Sequence, residues 1–85
     1  MGEGVVIRVF FSSFLDDVAK AIISRLSKYG RTKTMYSRIV PGFYHVEIIL
    51  DKEENIDSIV GQIESEIRKL GSDYVYGIKV YYIKK

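Results

Sequence analysis

Hydrophobic and polar positions alternate most cleanly over residues 43–50, Phe-Tyr-His-Val-Glu-Ile-Ile-Leu. Tyr44, Val46, Ile48 and Leu50 share one unbroken apolar face. Phe43, His45, Glu47 and Ile49 share the other, which is aromatic and polar. A period of two predicts a strand in mid-sheet, with core on one side and a different environment on the other. Residues 5–11 repeat the pattern: Val5, Ile7, Val9 and Phe11 on one face, Val6, Arg8 and Phe10 on the other. Between them the period changes. Leu15, Val18, Ala19, Ile22, Leu26 and Tyr29 form one helical stripe, and Ile56, Ile59, Val60, Ile63, Ile67 and Leu70 form a second. Ser13 with Asp16 reads as a capping box for the first helix, and Gly30 as its left-handed terminator. Pro41-Gly42 marks a turn, so residues 31–40 and the strand after it should form a hairpin. A charged connection, 51–55, leads to the second helix, which Gly71 closes, and a last strand runs from about Tyr74 to Ile83.

The two halves are one pattern displaced by 41 residues. That shift carries Leu15 onto Ile56, Ile22 onto Ile63, Gly30 onto Gly71, and Val5, Ile7 and Val9 onto Val46, Ile48 and Leu50. Two strand–helix–strand units interlock into a four-stranded antiparallel sheet with both helices on one face. The expected fold class is α+β, a ferredoxin-like βαββαβ sandwich with strand order 4-1-3-2, formed by residues 1–85 as a single domain. Carried onto the ambiguous second strand, the repeat predicts Met35, Ser37 and Ile39 on the core side with Tyr76, Ile78 and Val80. Thr34, Tyr36, Arg38 and Val40 then face outward, as do Val75, Gly77, Lys79, Tyr81 and Ile83. A one-residue slip or bulge would invert this assignment.

Composition narrows the classes. At 85 residues there is room for one core. With 47% hydrophobic and 28% charged residues the chain is too apolar for a disordered one. A formal charge of +2 permits nucleic acid without demanding it. The absence of cysteine excludes disulfides, a thiol nucleophile and a thiolate metal site. No apolar run approaches a membrane span, the start carries no basic leader, and Val6 stands where a myristoylation signal needs Ser or Thr. A cytoplasmic location, with no membrane partner, is the expectation. Asn55 and Gln62 are the only side-chain amides, a thermophile-like bias.

Both helices on one side leave the other side of the sheet open. Its expected members are Val6, Arg8, Phe10, Tyr36, Arg38, Phe43, His45, Glu47, Ile49, Lys79, Tyr81 and Ile83. So apolar a surface points to a binding site. Self-association or docking into a larger complex is the leading expectation, since interface cores take aromatics and Arg, and Glu47 repels phosphate. The candidate contact residues are Arg8, Phe10, Tyr36, Arg38, Phe43, His45, Lys79 and Tyr81.

The alternative is single-stranded RNA. Residues 41–48, Pro-Gly-Phe-Tyr-His-Val-Glu-Ile, resemble the longer ribonucleoprotein signature of the RNA-recognition motif family. Gly42, Phe43 and Val46 match; His45 replaces an aromatic, Pro41 a Lys or Arg, and Tyr44 a small residue. Val9-Phe10-Phe11 resembles the shorter signature. This resemblance implies base stacking on Phe10, Phe43 and His45, with phosphate contacts from Arg8, Arg38 and Lys79. The opening stretch, Ile7 to Ile22, resembles the small dimerising subunit of the KEOPS tRNA-modification complex, over the first third of the chain only; the second helix lacks that family's Leu-Arg signature. A third expectation, small-molecule regulation as in ACT-type domains, follows from the fold alone.

Catalysis and cofactors are not expected. The loop after the first strand, Phe11-Ser-Ser-Phe14, lacks the Arg of an acylphosphatase-like site, the cysteine pair of a metal chaperone and the Asp of a CRISPR-associated nuclease. His45 is the lone histidine and has no second His or Cys for zinc. Ser12 and Ser13 have no base beside them. Asp16 and Asp17 suit the first turn of a helix.

Overall fold

A computed structural model describes residues 4–37, 39–50 and 55–84, the side chains of Tyr36 and Ser72 excepted. The elements are β1 (Val5–Ser13), α1 (Asp16–Leu26), β2 (Arg31–Tyr36), β3 (Phe43–Leu50), α2 (Ile56–Gly71), a 3-10 turn (Ser72–Tyr74) and β4 (Val75–Lys84). The sheet order is β2-β3-β1-β4, antiparallel throughout. This is the expected 4-1-3-2 order read from the other edge. The fold is ferredoxin-like.

The core forms where the repeat places it. Val5, Ile7, Val9 and Phe11 of β1 and Tyr44, Val46, Ile48 and Leu50 of β3 lie beneath Ala19, Ile22 and Leu26 of α1 and Ile56, Ile63 and Ile67 of α2. Burying a large aliphatic or aromatic side chain contributes about 1.5–3 kcal/mol, so this layer dominates the stability. Leu15 and Leu70, at the ends of the stripes, are exposed.

Several boundary expectations need correction. Ser13 is not a helix cap. The residue at the N-cap is Leu15, with no side-chain cap bond. Ser13 instead folds locally on Leu15: its Oγ accepts from the Leu15 N–H and donates to the Leu15 carbonyl, both at 3.2 Å. Asp16 Oδ1 accepts from the Tyr44 hydroxyl at 3.2 Å, which ties the helix start to the sheet. The last turn tightens after Leu26, with Lys28 N–H to the Arg25 carbonyl and Tyr29 N–H to the Leu26 carbonyl. Gly30 is not left-handed; positive φ occurs at Asn55, Gly42 and Gly77 among the described residues. Its role is close approach, since a Cβ there would lie 2.5 Å from the Ile49 carbonyl oxygen. Gly71, its counterpart in the repeat, likewise leaves room for the Val75 side chain.

Strand β2 ends four residues early and faces the other way. Ser37 diverts it: its Oγ accepts the N–H of Val40 at 2.9 Å and of Ile39 at 3.3 Å. Ile39, expected in the core, is 90% exposed, and Val40 is exposed as well. In the ladder Thr34 is opposite Val46 and Met35 opposite His45. Cross-strand partners share a face, so Thr32 and Thr34 are on the helix side and Arg31, Lys33 and Met35 on the open side. Tyr36, expected to face outward, pairs with Tyr44, a helix-side position.

Strand β4 corrects itself midway. Its register against β1 shifts between Phe10 and Ser12, where β4 carries one extra residue. Gly77 sits there with φ +65°, a bulge conformation that glycine adopts without a Cβ penalty. Beyond it Ile78, Val80 and Tyr82 pack on the core, as expected. Before it the faces are inverted: Val75 is buried in the core and Tyr76 lies opposite Ser12, on the open side.

Candidate functional site: the open face of the sheet

Four rows cross the open face. They are Arg31–Ile49–Val6–Ile83, Lys33–Glu47–Arg8–Tyr81, Met35–His45–Phe10–Lys79 and Phe43–Ser12–Tyr76. Alternation in β1 and β3 aims these side chains away from the helices. The first row closes over itself: Val6 is 8% exposed although no helix covers it.

The centre is a stack of rings. Phe10 lies 4.3 Å from His45, centroid to centroid, with planes 10° apart. It lies 6.1 Å from Tyr81 at 14° and 6.0 Å from Phe43 at 26°. His45 and Phe43 come from β3 and Tyr81 from β4, the strands on either side of β1. The stacking direction therefore runs across the strands, within the sheet plane. The faces of Phe10 and His45 meet, and the edges of these two rings point outward. Phe14, 80% exposed in the loop after β1, continues the aromatic surface; its ring is 5.4 Å from Tyr76.

Charge is unevenly spread over this surface. Arg8 pairs with Glu47, Nε to Oε2 at 3.5 Å. Lys33 is the cross-strand partner of Glu47 on its other side. Lys79 and Arg31 make no ion pair among the described residues. Among the described residues, four cations thus share the face with one carboxylate. His45 Nε2 is enclosed and makes no hydrogen bond among the described residues. Beside Lys79, Phe10, Phe43, Gly77 and Tyr81 border a shallow hollow of ≈ 910 Å³.

The structure thus brings Arg8, Phe10, Phe43, His45, Lys79 and Tyr81 onto one surface. Tyr36 is displaced by the register of β2, and Arg38 lies outside the described residues. Sequence reasoning missed Met35, Lys33, Arg31, Tyr76 and Phe14. Glycine within a strand pattern was the available sign of the bulge that turns Tyr76 outward. Among the described residues no group of three or more His, Cys, Asp or Glu could hold a metal ion. No helix among them is long and apolar enough to cross a membrane.

Neither a protein-family profile nor a curated protein sequence matches the chain. Among solved structures, the de novo designed protein Foldit4 is similar, with a TM-score of 0.67 and 23% sequence identity. The match covers 98% of this chain and 99% of that one. This likeness extends to the fold and carries no activity.

Proposed function

We propose that the chain is a non-catalytic docking module that receives a protein partner on its open sheet. The ring stack is the observation that carries this reading. A base-stacking platform offers aromatic faces to nucleobases. One face of Phe10 is taken up by His45, and the Tyr81 ring lies nearly parallel to Phe10 with its centroid 6.1 Å away. Edges, together with Met35, Ile49 and Ile83, offer what a protein interface uses: apolar area, shape and a few charges.

Single-stranded RNA is the second reading, favoured by Arg8, Arg31, Lys33 and Lys79 on one surface. A photo-crosslinking residue at Tyr81, in the cells that make the protein, separates the two. Docking predicts a discrete protein adduct at Tyr81 and none at Lys20, on the exposed side of α1. A nucleic-acid adduct, or equal labelling at both positions, refutes it.

A further inference from the structure

We infer that the open sheet takes an acidic protein segment carrying an apolar anchor side chain, rather than a second copy of this chain. This rests on the docking reading and names its partner. Three observations converge. The first is charge. Among the described residues of this face, Arg8, Arg31, Lys33 and Lys79 stand against Glu47 alone, and Glu47 already has Arg8 at 3.5 Å. Two copies face to face would bring two such cationic surfaces within the roughly 8 Å over which charges are poorly screened at physiological salt. Among its described residues, this face has no spare carboxylate to offer a second copy. An acidic segment meets no such opposition, and like-charge mismatch is what excludes wrong partners.

The second is ring orientation. An aromatic ring is negative on its faces and positive at its edge. Phe10 and His45 stack face to face at 4.3 Å, so these two rings present edges rather than faces at the surface. Carboxylates and carbonyl oxygens are the groups that such edges attract.

The third is shape. The bulge leaves a gap beside Lys79 where a residue with a side chain would stand. A Cβ on Gly77 would meet no atom closer than Ser12 Oγ at 4.0 Å. The hollow bordered by Phe10, Phe43, Gly77 and Tyr81 lies over that gap and has room for one aliphatic or aromatic side chain, with Lys79 at its lip for an adjacent carboxylate.

The test is selection from short random peptides displayed on phage against the full chain, followed by titration of the enriched peptides. The expected pool is rich in Asp and Glu around one or two large apolar residues. Its binding should weaken with salt and fall by about tenfold in Lys79→Glu. Gly77→Asn, which keeps a left-handed backbone within reach while filling the hollow, should weaken binding comparably. Lys20→Glu, on the helix side, should leave it unchanged. A neutral or basic pool, or binding indifferent to both face variants, overturns the inference. Self-association, read by sedimentation and by concentration-dependent shifts of the Phe10, His45 and Tyr81 ring signals, also overturns it while leaving the docking reading intact. If no peptide shifts those signals and a uridine oligomer does, both fall together.

Discussion

The two faces of the sheet are built from the same strands and do opposite work. In β3 the helix-side residues Tyr44, Val46, Ile48 and Leu50 are at most 8% exposed, while Phe43, His45, Glu47 and Ile49 between them are half-buried. Phe11 and Phe10, adjacent in sequence, show the contrast best. Phe11 is wholly buried and stacks 5.3 Å from Tyr44 under the helices. Phe10 stacks just as closely with its neighbours but has no second layer above it. Ring contacts alone therefore do not define a core. What separates the faces is whether water is expelled from both ends of the side chain, and that is decided by the helices.

The sharpest way to break this comparison is to truncate the two phenylalanines. Phe11→Ala should cost about 3–5 kcal/mol in urea-induced unfolding. Phe10→Ala should cost about 1 kcal/mol, the scale of an aromatic pair, while removing partner binding. Equal costs would mean that the open face is structural. Next in size is Gly30→Ala. The new Cβ collides with the Ile49 backbone rather than a flexible side chain, so a loss of about 1–3 kcal/mol is expected by the same measurement. Gly61→Ala should have the opposite sign. Gly61 lies in α2 with open space around it, so alanine should stabilise by about 0.5–1 kcal/mol, visible as a higher unfolding midpoint. Gly30 lies in a bend where a methyl group would strike backbone, whereas Gly61 lies mid-helix where it would meet open space.

The smallest effect concerns pH. Burial, and then the negative charge of Glu66, raise the Tyr29 phenol above its ordinary value of 10.0. The folded chain therefore holds that proton more tightly than the unfolded one. Stability from this source is complete below about pH 10 and declines as pH rises through the folded value. Tyr29→Phe should flatten the alkaline end of a stability-versus-pH curve and leave the neutral region unchanged. An unaltered curve would remove Tyr29 from the account.

Elements with strong alternation or a full helical stripe were legible in the sequence, and so were their order and the common face of the helices. Residues that satisfy two patterns were not. Arg31 to Tyr36 alternates Thr with Lys and Met, all tolerated on a pleated surface, so local preference could not choose a face. Ile39 drew the register outward by one residue because it is apolar, yet the Ser37 hydroxyl had already turned the chain away from the ladder. The displacement by 41 residues linked Met35 with Tyr76, and the pair does share a side. That side is the open one, so both were inverted together, and the extra residue at Gly77 then restored the expected order from Ile78 onward. On the candidate surface, the residues carried by β1 and β3 were identified, whereas those set by a bulge or a loop, Tyr76 and Phe14, needed three dimensions.

The kink at Gly77 also bears on how the protein behaves in a crowded solution. Strand β4 is the longest in the sheet and forms one of its two borders, with only β1 beside it. A straight border of that length is a template along which another extended chain can zip. The extra residue breaks the regular spacing of amide groups partway along, and Lys79 and Lys84 place charge on the remainder. Removing Gly77 would restore an even ladder along this border and leave Lys79 and Lys84 as the residues that oppose pairing there. The residue that shapes the surface also interrupts the border along which such pairing would run.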